Sequence, residues 1–219
     1  MPVVAYIVAI VVGYLLGSIP TGFLVAKSRG IDIRTVGSGN IGATNVVRTL
    51  GKSAGAAVLL ADALKGWLAA AVAAKIIGGW FFHGPGPAPT DGLCVCAGIA
   101  AILGHNYTCW LNFKGGKGIA TSAGVVLGLA WLALALSLGI WIIVFAISRY
   151  VSLASIAAAF ALPFAMWIDG KSTTLILVMG ALGALAIFKH KTNIKRLLEG
   201  SESRFGRKKP VTQAPSGTA

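Results

Sequence analysis

At 219 residues, 56% hydrophobic and 11% charged, with a mean hydropathy of +0.81, the chain has a bilayer composition and no room for a separate soluble domain; soluble domains carry about 25% charged residues. The formal net charge of +13 would suggest a nucleic-acid partner in a soluble protein. Here the basic residues flank apolar stretches, so they read as topogenic charge and contact with anionic lipid, not as a nucleic-acid surface.

Crossing the hydrocarbon core takes roughly 20 apolar residues. The first such stretch, 3–26, has no Lys or Arg before it and is followed by Lys27 and Arg29. Those flanks are the reverse of a cleaved signal peptide and predict an uncleaved span with its N-terminus outside. Lys27, Arg29, Arg34, Arg48 and Lys52 then mark a cytoplasmic loop. The second stretch, 53–74, is apolar apart from Asp62 and Lys65. At i and i+3 these two are expected to form a structural ion pair facing the bundle interior. The loop at 75–91, rich in Gly and Pro, is predicted outside.

A third stretch covers 92–113, and Lys114 and Lys117 put the loop after it inside. Three apolar stretches follow, at 118–148, 150–168 and 172–188, before a tail whose eight Lys and Arg put it inside. Three single crossings would leave that tail outside. The 31 residues of 118–148 are therefore read as two short helices with a turn near Ser137–Gly139, giving seven spans; one long helix that does not cross would give five. The seven-span reading leaves Arg149 inside, Asp169–Lys171 in a tight outer turn, and 16 of the 19 basic residues inside. The predicted fold class is thus an all-α integral membrane protein with about seven transmembrane helices, a cytoplasmic C-terminus and its motifs in cytoplasmic loops. Residues 1–205 read as one transmembrane domain and 206–219 as a disordered basic and polar tail. No internal repeat is evident, which weighs against inverted-repeat transporters. Glycines inside the stretches, such as Gly17, Gly66 and Gly124, read as sites of close helix packing. Cys94, Cys96 and Cys109 show no metal-ligand spacing and read as small apolar fillers.

Three motifs carry chemistry. In the first, Gly37 to Asn45, the glycines Gly37, Gly39 and Gly42 with Ser38 and Asn40 make a glycine-rich loop that enters a helix expected over 43–50. A helix start presents free N–H groups at the positive end of its dipole, which suits an anion. Thr44, Asn45 and Arg48, at i, i+1 and i+4, can approach the same patch. The second motif is His105, then Lys114, Gly115, Gly116, Lys117, Gly118 and Thr121. It is not a Walker A sequence, because Leu111 and Gly118 stand where that motif requires Gly and Ser or Thr. General phosphate binding by backbone N–H groups and lysine remains. The third is His190, Asn193, Arg196 and Glu202 after the last span. His190 and Asn193 would share a face of a continuing helix, and Arg196 and Glu202 would form an interfacial ion pair. Two anion loops on one side of a lipid-embedded bundle suit an enzyme that joins a phosphorylated polar molecule to a lipid-soluble one. A transporter of a phosphorylated solute would also need anion sites, but nearer the midplane.

Residues 38–45, 114–121 and 193–202, in that order, resemble the three motifs of the bacterial acylphosphate-dependent glycerol-3-phosphate acyltransferases, the PlsY family. Residues 17–20 and 62–66 are also similar, and the likeness spans roughly 6–204. It implies a seven-span enzyme of the bacterial inner membrane, with a cytoplasmic site and neither metal nor organic cofactor. Its substrates would be acyl phosphate and glycerol 3-phosphate, and its products 1-acyl-glycerol 3-phosphate (lysophosphatidic acid) and phosphate. Catalytic roles would fall to Ser38, Arg48, His105, Lys114, His190 and Asn193. Substrate binding would fall to Gly39, Asn40, Gly42, Thr44, Asn45, Gly115, Gly116, Lys117, Gly118, Thr121 and Arg196, and structural roles to Asp62, Lys65 and Glu202. The proton acceptor is left open among His105, His190 and a substrate phosphate. Oligomeric state is also open, a monomer included.

Overall fold

The computed structural model describes residues 2–82 and 90–206, and all its regular structure is helical. The helices are α1 (Pro2–Ser18), α2 (Thr21–Lys27), α3 (Ala43–Leu50), α4 (Lys52–Trp67), α5 (Ala74–Phe81), α6 (Thr90–Asn106), α7 (Ile119–Leu129), α8 (Trp131–Ser148), α9 (Val151–Ile168), α10 (Thr173–Lys189) and α11 (Lys191–Leu198). A π-helical segment, Leu68–Ala73, joins α4 to α5 as one 30-residue rod. Five helical units are long and apolar enough to cross a membrane: Pro2–Lys27, Lys52–Phe81, Asp91–Leu111, Trp131–Ser148 and Val151–Ile168. The α10–α11 pair, bent by 56°, makes a sixth if taken as one span. Residues 83–89 of the expected outer loop and 207–219 of the expected disordered tail lie outside the described residues.

The stretch 118–148 does divide into two helices, but the turn expected near Ser137–Gly139 is not there. The break is at Ala130, with φ −159° and ψ 73°, and Ser137–Gly139 lie inside α8. In lipid every backbone polar group needs an internal partner, so a Ser and a Gly in an apolar run continue the helix. The resulting α7 has 11 residues, about 16 Å at 1.5 Å per residue and roughly half the hydrocarbon thickness. A second correction concerns the last span. Its helix does not continue straight past His190 but turns there into α11.

Two groups of helices build the bundle. In the first, α1 packs along α6 and α4 along α7; in the second, α9 packs against both α8 and α10. Missing side chains allow the tight contacts. A Cβ on Gly17 would run into the Ala101 backbone, and one on Gly124 into the Ala63 carbonyl. Without a hydrophobic force between helices in lipid, such close approach supplies the packing energy. The groups meet in a shared core that includes Ala70, Ile102 and Val126 from one side and Leu162, Met166 and Met179 from the other. Away from that core, toward the loops that carry the motifs, they separate around a cavity.

The α1–α2 break also explains the charges inside α4. Lys65 Nζ donates to the Ile19 carbonyl beside Pro20 at 2.8 Å, and Thr21 Oγ1 donates to Asp62 Oδ1 at 2.5 Å. Lys65 and Asp62 pair at 2.8 Å, both almost fully buried. The expected Asp–Lys pair is therefore present, and it satisfies a backbone carbonyl at the kink.

Two glycine substitutions check this packing. Gly17→Ala should lower stability by about 1–3 kcal/mol through overpacking. Gly139, mid-helix with nothing within 4 Å of a built Cβ, should gain about 0.5–1 kcal/mol on change to Ala. Thermal unfolding in detergent micelles reads both; a loss at Gly139 would put a turn back at that position.

Candidate active site

The cavity has a volume of about 460 Å³ and two kinds of wall. Its polar end carries Ser38, Arg48, Lys117, His190, Asn193 and Glu202, while its deep end is lined by residues such as Ile102, Val126, Leu162 and Met179.

The first loop is folded by Asn45. Its Oδ1 accepts from Ser38 N at 2.8 Å, and its Nδ2 reaches the carbonyls of Ile33, Val36 and Asn40 at 2.9–3.2 Å. Gly37 and Gly39 both take positive φ, and a Cβ on Gly37 would strike Asn45 Oδ1. Asn40 Oδ1 accepts from Gly42 N at 2.8 Å and closes the turn into α3. This places Ser38, Asn40, Gly42, Thr44 and Arg48 on the cavity wall, with the Ala43 and Thr44 N–H groups that open α3 free of intrahelical partners. Asn45 also reaches the wall, but its side-chain donors are engaged by the loop. Gly39 lies off the wall.

The second loop rests on the end of α6. Gly115 N donates to the Asn106 carbonyl at 3.2 Å and Gly116 N to the His105 carbonyl at 3.0 Å. Gly118, with φ +82°, starts α7. Lys117 and Gly118 line the cavity, whereas Lys114 is exposed and outside it. Gly115, Gly116 and Thr121 sit behind the wall, Thr121 packed against Gly66 of α4.

The third motif closes the polar end. The Glu202 carboxylate, 7% exposed, accepts from Asn193 Nδ2 at 2.7 Å, Ser152 Oγ at 2.8 Å and Arg196 Nε at 2.6 Å. The expected Arg196–Glu202 pair is thus formed. Lys117 Nζ donates to Asn193 Oδ1, which joins the second loop to this network. His190 Nδ1 lies 2.8 Å from the Ala186 carbonyl, an arrangement that places the proton on Nδ1 and leaves Nε2 as the acceptor. His105, also on the cavity wall, is 5% exposed.

The polar end is cationic. Burial pushes Lys117 down to about 8, with Glu202 opposing and Arg196 and Arg48 adding to the fall. Burial likewise lowers Arg48, against Glu202 and with Arg196. Burial acts to raise Glu202, but hydrogen bonds from Arg196, Asn193 and Ser152 hold its carboxyl below the usual range. One carboxylate therefore faces three cations, and the excess positive charge suits an incoming anion. Ser152 was not among the sequence-selected residues, because a single Ser near the start of an apolar span carries no motif. Its only signal is proximity in space to Glu202, 50 residues on.

The model of a family described as "Glycerol-3-phosphate acyltransferase" matches residues 7–200. A protein of Geotalea daltonii with that description is 47% identical over 202 residues, covering 92% of this chain and 98% of its own. One of Geobacter sulfurreducens is 46% identical over 194 residues, covering 89% and 94%. Two crystal structures of PlsY (YgiH), described as an integral membrane glycerol 3-phosphate acyltransferase, resemble the fold. The glycerol 3-phosphate form has a TM-score of 0.81 at 40% identity, covering 92% of this chain and 96% of that one. The lysophosphatidic acid form has a TM-score of 0.79 at 39% identity, covering 92% and 95%.

Lys117 makes the polar end pH-dependent in a definite direction. Its ammonium is charged below pH 8 and lost as pH rises through that value. Sulfate, whose own charge is constant over this range, should bind about tenfold more weakly at pH 9 than at pH 7, within the loss expected for one charge-assisted hydrogen bond. Lys117→Arg should flatten the dependence, since a guanidinium stays protonated. Titration calorimetry decides it, and a flat wild-type profile would remove Lys117 from the anion site.

Proposed function

Because the chain belongs to the glycerol-3-phosphate acyltransferase family, we propose that its cavity transfers an acyl chain from acyl phosphate to glycerol 3-phosphate. The products are lysophosphatidic acid and phosphate, at the first step of phospholipid synthesis. The observation that carries this reading is the cavity's division into a cationic polar end and an apolar limb. A substrate with a phosphate at one end and a hydrocarbon tail at the other matches both walls at once.

Acyl phosphate is a mixed anhydride, so its carbonyl is already activated and phosphate leaves readily. The protein then needs to align the glycerol 3-phosphate hydroxyl with that carbonyl and to stabilise charge on the oxyanion and the leaving phosphate. Alignment is worth several kcal/mol, and preorganised donors add more. Ser38, Asn40, Gly42, Thr44, Arg48 and the start of α3 serve one phosphate, with Gly39 shaping the loop behind them. Lys117, Gly118 and the start of α7 serve the other, with the Gly115–Gly116 backbone fixing the loop on α6 and Lys114 at its exposed edge. Asn193 is fixed between Lys117 and Glu202, and Arg196 holds Glu202. The hydroxyl proton has two acceptors, His190 Nε2 and the departing phosphate. No metal or organic cofactor enters the scheme.

The same reading gives an orientation. The polar end faces the cytoplasm, where glycerol 3-phosphate is available, and the apolar limb takes its acyl chain from the lipid of the bacterial inner membrane. The N-terminus is outside, residues 1–205 form one catalytic domain crossing about seven times, and the chain acts on its two substrates without nucleic acid. A reporter fused after Ala219 should read cytoplasmic; a periplasmic signal would overturn this topology.

Purified protein given acyl phosphate and glycerol 3-phosphate should form lysophosphatidic acid, and robust activity with acyl-CoA but none with acyl phosphate would reject the donor. Arg48→Ala should cost about 1.5–3 kcal/mol of transition-state stabilisation, one to two decades in kcat/KM. Arg48→Lys should recover little if the contact is bidentate. Full activity of Arg48→Ala at subsaturating substrate would remove the first loop from the mechanism.

A further inference from the structure

His105 is one of two histidines on the cavity wall, yet its ring is held by protein atoms on both sides. Nδ1 lies 3.5 Å from Asp62 Oδ1 and has no closer partner. Nε2 sits against Gly116, close enough that a Cβ there would fall on it. The ring is also 5% exposed. A general base needs a free lone pair within hydrogen-bond reach of the substrate proton; here Nδ1 faces Asp62 and the Gly116 backbone lies against the Nε2 edge, so the ring is packed on the loop rather than aimed at open space.

Its surroundings point to another task. Asp62 is fixed from two other directions, by Lys65 at 2.8 Å and Thr21 at 2.5 Å, and so cannot swing away from the ring. The His105 carbonyl accepts from Gly116 N at 3.0 Å, and the next carbonyl, of Asn106, accepts from Gly115 N at 3.2 Å and from Lys189 Nζ at 3.1 Å. Backbone and ring of His105 thus support one side of the lysine loop, directly before Lys117. The glycine at 116 lets the loop lie flat on the imidazole.

We propose that His105, braced by Asp62, is a positioning residue that sets the placement of the lysine loop and hence of Lys117 in the anion site, and that it is not the proton acceptor of the reaction. The pair links the α1–α2 kink, through Asp62 and Lys65, to the substrate phosphate. This rests on the acyl-transfer reading, but part of its test does not.

Two measurements are made on purified full-length protein in detergent: lysophosphatidic acid formation with both substrates varied over a range of pH, and sulfate binding by calorimetry. His105→Gln, which fills most of the ring's volume, should raise KM for one of the substrates by about tenfold with kcat within about threefold, the pattern of lost ground-state placement. The kcat–pH profile should keep its shape, and sulfate affinity should fall by about the same factor as KM rises. Asp62→Asn should act in the same direction, and the double variant should be no worse than the weaker single, because both act through one contact. A fall in kcat of about a hundredfold or more with both KM values unchanged and the acid limb of the profile gone would identify a base and overturn the proposal. So would unchanged sulfate affinity in His105→Gln. Should Asp62→Asn fail to fold, with Lys65 left buried without its counter-charge, His105→Gln decides alone. Should wild type form no lysophosphatidic acid while sulfate binding still weakens in His105→Gln, the acyl-transfer reading fails and the positioning role stands.

Discussion

The carboxylate of Glu202 is the point on which the polar end depends. It is nearly sealed from solvent, and a buried carboxylate is tolerated only when its lone pairs are filled. Asn193, Ser152 and Arg196 fill them from α11 and α9. The chain after α11 must therefore fold back, and it does: Glu202 N donates to the Arg196 carbonyl and Phe205 N to the Arg149 carbonyl. Asn193, held by Glu202 through its amide, is left with its oxygen free for Lys117. That contact crosses from the second helix group to the first. Removing the carboxylate would release Arg196, free Asn193 to turn, and loosen the tie between α11 and Lys117 of the lysine loop.

A second carboxylate does equivalent work at greater depth. Asp62 joins α2, α4 and α6 where the first span is broken at Ile19-Pro20. Proline cannot donate to the turn before it, and at this break the Ile19 carbonyl accepts from Thr21 N at 3.0 Å and from Lys65 Nζ at 2.8 Å. The intramembrane charges are thus consequences of a kink, and the kink in turn places α2 beneath the first glycine loop. Between the two carboxylates lies an apolar limb walled by small and branched side chains. Small residues on that wall, among them Ala63, Ala159 and Gly183, also take part in close helix contacts, so the shape of the cavity depends on where side-chain volume is missing.

Much of this was legible in the sequence. Composition and charge-free runs specify a membrane bundle, since no soluble core accommodates so little charge. The helix over 43–50, the glycine loops before α3 and α7, and the Asp62–Lys65 pair follow from local spacing, which a helix translates directly into proximity; the Arg196–Glu202 pair is also close in sequence, but it forms because the chain folds back after α11. Three motifs in one order also identify the family. These features depend on neighbours within a few residues of one another, or on similarity along the whole chain.

The tertiary structure decided what spacing cannot reach. Ser152 joins Glu202 across 50 residues, and no local pattern distinguishes it from Ser155 or Ser148. Asn45 carries a motif position that suggests substrate contact, yet its amide is occupied by three carbonyls of its own loop. Lys114 and Lys117 are equivalent in sequence as cations flanking glycines, but only Lys117 faces the cavity, because Gly115 and Gly116 are tied to α6. The break in 118–148 fell at Ala130 and not at the Ser–Gly pair, because in an apolar medium the backbone's need for hydrogen bonds outweighs residue preference. Sequence determined which groups are present and which neighbours they meet along a helix; packing between the two helix groups determined which of them share one site.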